Sequence, residues 1–230
     1  MRKIVKNTTF VGLLDLLAPH SCMGCGHIGN ALCERCKNHI ITQRTNICPN
    51  CKAKIKSKSG NCKHCKDLPA TFIVGERDEL IGTLVHNLKY QSVRSLARPL
   101  AELLDASLPD FKSKAVIVPL PTISKHIRKR ALDHTYLISR HLSRIRHYQV
   151  QRLLLRTNST TQVGTDRATR QKQAASAYAL NPKFIIDPQA TYILLDDVWT
   201  TGASMLAATR LLKSAGASNI VISILALSRI

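Results

Sequence analysis

Residues 192–204 read YILLDDVWTTGAS, an apolar run that ends in two adjacent carboxylates, Asp196 and Asp197, and continues into a hydroxyl-rich turn. Such a run predicts a buried strand, and the pattern after it predicts a helix. The first N–H groups of a helix have no acceptor within it. Together with the hydroxyls of Thr200, Thr201 and Ser204 they cradle a phosphate, and Gly202 lets the backbone approach closely. Two carboxylates are misplaced against a phosphate but suit the diol of a neighbouring ribose. The competing reading is an acidic strand-end turn that binds nothing.

A second chemistry lies near the N-terminus. Cys22, Cys25, Cys33 and Cys36 are followed after eleven residues by Cys48, Cys51, Cys62 and Cys65, in four Cys-x-x-Cys pairs. Two intervening residues let both sulfurs of a pair reach one ion at about 2.3 Å, and Gly24, Gly26 and Asn50 suit the tight turns this requires. Eight thiolates fill two tetrahedral zinc sites. Four protein ligands leave no position for substrate, so both sites are expected to be structural. Sequential pairing is expected, first four and last four, although the spacing also admits a cross-braced arrangement. His27 and His64 are surplus to the ligand count.

The elements that position these groups follow from the apolar pattern. Strands are expected at 71–74, 115–118, 192–195 and 220–225, with helices over 80–88, 92–107, 137–144 and 204–215. Strands apolar along their whole length, alternating with helices, predict an α/β fold with a parallel sheet covered on both faces, whose ligands bind at the carboxyl ends of strands. No cysteine follows residue 65. The expected division is therefore 1–70, an N-terminal helix and zinc module, and 71–230, the α/β domain. The apolar stretch at 10–18 is interrupted by Asp15 and too short to cross a bilayer, which predicts a cytoplasmic protein with no membrane span. Without a secretory signal, the cysteine pairs point to metal thiolates rather than disulfides.

Formal charge is +20, and two zinc tetrathiolates would bring it to about +16. Residues 112–156 hold eleven Lys and Arg against one acid, Asp133. A field of this sign favours phosphates, on a small ligand or on a nucleic acid.

The block 192–204 resembles the thirteen-residue phosphoribosyl pyrophosphate (PRPP) signature of the type I phosphoribosyltransferases. The resemblance implies that Asp196 and Asp197 hold the ribose 2- and 3-hydroxyls, that Thr200, Thr201, Gly202, Ala203 and Ser204 hold the 5-phosphate, and that Val198 and Trp199 belong to the same PRPP-binding block. Knuckles ahead of this fold resemble the ComF family, also called the GntX or competence protein F family. Its Leu-Lys-Tyr element matches Leu88, Lys89 and Tyr90. Its Val-Pro-Val-Pro and Arg-x-Arg segment matches Val118, Pro119, Leu120 and Pro121 with Arg128 and Arg130. Its later Gln, Arg and Ala-Phe pattern resembles Gln162, Arg167, Arg170, Ala177 and Tyr178. Where the family continues Gly-Phe-Asn-Gln, this chain has Ala131, Leu132, Asp133 and His134, which bears on substrate choice and turnover.

The resemblance implies a phosphoribosyltransferase that takes PRPP with Mg²⁺ and an unidentified acceptor. Pro119, Leu120 and Pro121 would join the PRPP site. Arg128 and Arg130, with Arg167 and Arg170 on a flap over 157–173, would neutralise the pyrophosphate. Neither His126 nor His134 forms a strong general-base pattern. Sensing PRPP without turnover is the related alternative, and the fold often forms homodimers. The competing class is an accessory protein for single-stranded DNA, carried by Lys52, Lys54, Lys56, Lys58, Lys63 and Lys66 among the knuckles and by Arg140, Arg144 and Arg146.

Overall fold

The computed structural model describes residues 20–44, 46–55, 59–77, 79–111, 113–122, 133–157 and 177–228. The expected N-terminal helix, the 157–173 flap apart from its first residue, Lys56, Lys58, His126, Arg128, Arg130, Ala131, Leu132, Gln162, Arg167 and Arg170 lie outside the described residues. In chain order the cysteine segment forms a small hairpin, β1 (His20–Ser21) and β2 (Ile28–Gly29), and helix α1 (Glu34–Thr42). Then follow β3 (Ala70–Glu76), α2 (Leu80–Tyr90), a 3₁₀ turn (Arg94–Leu96), α3 (Ala97–Ser107), β4 (Ala115–Pro119), α4 (His134–Arg146) and β5 (Gln149–Val150). A hairpin of β6 (Leu154–Arg156) and β7 (Tyr178–Leu180) precedes β8 (Thr191–Trp199), α5 (Ala203–Ser214) and β9 (Asn219–Leu227).

Five strands make one parallel sheet in the order β3-β9-β8-β4-β5, the α/β architecture expected. Its centre is apolar on both faces because neither face meets water. Ile117, Ile193, Leu195, Val221 and Leu225 point into one layer with Leu84, Leu88, Leu100, Leu104, Ile138 and Leu142 of α2, α3 and α4. Val116, Val118, Tyr192, Leu194, Ile222 and Ile224 point into the other with Met205, Ala208 and Leu212 of α5. Successive residues of one strand thus serve opposite layers.

The cysteine segment contributes to both layers. Cys22, Leu32, Cys36 and Ile40 join the first, whereas Cys48, Ile55, Cys62 and Leu68 join the second. Helix α1 is tied to α3 by Lys37, which bonds Glu102 at 2.5 Å and also pairs with Glu34.

Topology selects one end of the sheet. From β4 the chain crosses through α4 to β5 on one side, and from β8 it crosses through α5 to β9 on the other. The crossovers diverge between the neighbours β4 and β8, which opens a crevice beyond their carboxyl ends. Pro119 and Leu195 pair there, and the Leu120 N–H donates to the Leu195 carbonyl at 2.9 Å. Among the described residues no helix is long and apolar enough to cross a membrane.

Candidate functional site

A pocket of about 350 Å³ occupies that crevice, lined just beyond β4 by Leu120 and Pro121, from β8 by Asp196, Asp197 and Val198, and beyond it by Thr200 and by Ser204 of α5. Lys89, Tyr90, His134, Arg156, Tyr178 and Arg77 supply its other walls. Gly202 sits at the N-cap of α5 with φ +74°, and an added Cβ there would lie 2.2 Å from the Trp199 ring. Both the left-handed backbone and the ring contact require glycine. Trp199 is buried beneath the loop, while Thr200 and Thr201 are exposed above it. The Thr201 hydroxyl accepts from the Ala203 N–H at 3.4 Å. Of residues 200–204, Thr200 and Ser204 line the pocket, and Ser204 lies in the first turn of α5.

The two aspartates have different surroundings. Asp197 is 4% exposed and one carboxylate oxygen, Oδ2, accepts from Lys89 Nζ and from His134 Nε2, each at 2.7 Å. Burial acts to raise its carboxyl, but the His134 bond and the Lys89 charge outweigh it and hold Asp197 well below the usual carboxylate range. Asp196 is half-buried and accepts the Asp197 backbone N–H at 2.8 Å. Burial, and then the Asp197 charge, push its carboxyl well above the usual range. Asp197 is thus committed to protein partners, while Asp196 lines the pocket with no cation bound to it among the described residues.

Local sequence explains how these partners arrive. Ile81, Leu84, Val85 and Leu88 bury one face of α2, leaving Lys89 in its last turn to reach Asp197. The Asp133 side chain caps α4 by accepting the Tyr136 N–H at 3.2 Å, so His134 begins the helix and is buried against Asp197. Two members of the Ala131, Leu132, Asp133, His134 departure therefore have definite tasks. Lys89 stood in a recognised element without an assigned role. Tyr178 stood in the matched Ala-Phe element without an assigned role, and Arg156 gave no signal except that it immediately precedes the polar 157–173 run. Arg146 is not available to a ligand: its side chain is 6% exposed and bonds Asp105 at 2.5 Å and the carbonyls of Asp105, Leu108 and Pro109.

The eight cysteines form two groups, Cys22, Cys25, Cys33, Cys36 and Cys48, Cys51, Cys62, Cys65, each with its sulfurs within 4.8 Å of one another. The pairing is sequential. Zn–S bonds of about 2.3 Å at tetrahedral angles set sulfurs about 3.8 Å apart. Cys25 and Cys33 are 3.7 Å apart and Cys51 and Cys62 are 3.5 Å apart. The thiols also divide unevenly. Burial opposes ionisation of Cys22, yet the N–H groups of Cys33, Gly24 and Cys25 bring it down to about 6. Burial and the neighbouring cysteines push Cys36 up to about 12. Sulfurs this close cannot all carry charge without a cation, so the donor set fits structural zinc.

The chain is 27% identical over 212 residues to Competence protein F of Haemophilus influenzae, an alignment covering 86% of this chain and 92% of that protein. It is 24% identical over 197 residues to Competence protein ComFC of Bacillus subtilis, covering 80% and 79%. No protein-family model matches the sequence.

Proposed function

We propose that this chain, a ComF-family protein by its kinship to two competence proteins, binds PRPP in the crevice between β4 and β8 and transfers or senses its phosphoribosyl group in a competence-related role. The observation that carries this reading is Asp196 beside the hydroxyl-bearing turn that starts α5, at the switch point of a parallel sheet. Asp196 accepts the ribose hydroxyls, with Asp197 setting the strand-end geometry from its Lys89 and His134 bonds. The N–H groups and hydroxyls of residues 200–204 take the 5-phosphate. Leu120 and Pro121 flank the pyrophosphate.

In transfer, the bond from ribose C1 to pyrophosphate oxygen breaks and its electron pair leaves on pyrophosphate, while C1 bonds to the acceptor. Negative charge grows on the leaving group, which is where positive groups act. Arg128, Arg130, Arg167 and Arg170 are the proposed cations for it. Mg²⁺ bound with PRPP would supply further neutralisation of that charge.

Calorimetric titration of PRPP and Mg²⁺ into zinc-loaded protein tests the reading. Saturable binding is expected, with loss in the D196N/D197N double variant; a wild type that evolves no binding heat would refute it.

A second reading, binding of single-stranded DNA, is favoured by Lys52, Lys54, Lys63 and Lys66. These lysines of the second cysteine group form no ion pair among the described residues. Affinity for an oligonucleotide should then fall steeply as salt is added. Absence of binding at low salt would remove this reading.

A further inference from the structure

The hairpin β6–β7 closes one side of the pocket, and Arg156 and Tyr178 are direct partners across it. Side chains so paired emerge on one face of the hairpin. The Arg156 guanidinium lies 5.4 Å from the centre of the Tyr178 ring, and its Nη1 donates to the phenolic oxygen at 3.2 Å. Tyr178 is 7% exposed, and its hairpin packs against α5, whose first turn carries Ser204.

Arginine only donates, so the phenolic oxygen accepts from Arg156. Arg156 lines that pocket half-buried and makes no ion pair with a carboxylate among the described residues. A desolvated guanidinium without a counter-charge is completed by an anion. Lys89, by contrast, is already spent on Asp197. In the ComF pattern the place of Tyr178 is held by Phe, which could stack on Arg156 but could not accept its hydrogen bond.

We propose that Arg156, oriented by the Tyr178 hydroxyl, is the cation that binds the 5-phosphate of the ribose ligand, supplementing the uncharged donors of residues 200–204. The inference rests on the PRPP reading and assigns Arg156 to one of its two phosphate groups, since the hairpin that carries it packs on α5 and shares the pocket lining with Thr200 and Ser204. Tyr178 is a positioning residue that fixes the guanidinium.

The test titrates PRPP, ribose 5-phosphate and magnesium pyrophosphate separately into the zinc-loaded full chain, as wild type, R156Q, R156K and Y178F, with melting temperatures recorded alongside. Loss of a charge-assisted contact predicts that R156Q weakens ribose 5-phosphate and PRPP about ten- to a hundredfold. Magnesium pyrophosphate should stay within about twofold on the same reasoning. R156K should fall between, and Y178F should lose several-fold for ribose 5-phosphate while keeping its melting temperature. A merely structural Arg156 would lower all three affinities together with the melting temperature, and that outcome overturns the inference. So does wild-type affinity for ribose 5-phosphate in R156Q, which leaves the PRPP reading standing. A wild type that binds neither PRPP nor ribose 5-phosphate overturns both.

Discussion

Asp196 and Asp197 are the same residue type at adjacent positions, and their sequence motif assigns them one shared task. Their surroundings separate them, through Lys89 and His134, which are remote in the chain and meet Asp197 only once the sheet has formed. Opposite thermodynamic signs follow. The Asp197 carboxyl is lowered by folding, so its contribution to stability is complete above its unfolded value near 3.9 and is lost as pH falls through the folded value. D197N should cost about 2 to 4 kcal/mol at neutral pH, because a half-buried Lys89 loses its partner. The Asp196 carboxyl is raised by folding, so its ionisation opposes stability as pH rises through the folded value. D196N should leave stability unchanged or higher at neutral pH. Denaturant melts of both variants from acid to neutral pH check this contrast.

The proposed PRPP site ties ligand binding to pH. With ionised Asp196 as the proposed acceptor for the ribose hydroxyls, PRPP affinity should weaken as pH falls into the raised titration range of Asp196. Binding within that range should release a proton. Calorimetry in buffers of different ionisation enthalpy reads the release directly, and D196N should abolish it.

At the scale of elements, the apolar runs made the strands β4, β8 and β9 and the helices α2 and α5 legible, because each buries a continuous face whose period survives in the sequence. Helix α1 and the short strands β5, β6 and β7 were not. A helix threaded through metal ligands has no free apolar stripe, and strands of two or three residues carry too little pattern. Helix α4 shows how a charge run misleads. Arg140 and Arg144 are one turn apart and exposed, but Arg146 points round the helix from them and binds the carboxyl end of α3. R146A should therefore lower stability by about 3 kcal/mol or more, by stranding Asp105 and three carbonyls. Thermal melts would show this loss, whereas R140A/R144A should melt as wild type.

At the scale of the whole molecule, the cysteines announce a separate N-terminal module by composition, yet their packing is not separate. The two sulfur groups join opposite layers around the sheet. The link to the pocket is short. A Cβ added at Gly24 would stand 2.7 Å from Cys36 Sγ and 2.8 Å from Leu80, so the first knuckle rests directly on the start of α2. The end of that helix delivers Lys89 to Asp197. None of this is readable from the sequence, since a knuckle of tight turns has no period and its apolar neighbours lie far along the chain. We propose that residues 1–70 are a metal-dependent folding unit whose loss is felt at the ribose site. Structural zinc contributes about 10 to 16 kcal/mol to modules of this kind. Chelation should therefore release two ions per chain, reduce the helical far-UV signal as α1 melts, and weaken PRPP binding as α2 loses its support. Release of the metal with PRPP affinity unchanged would show that the α/β domain holds Lys89 in place alone.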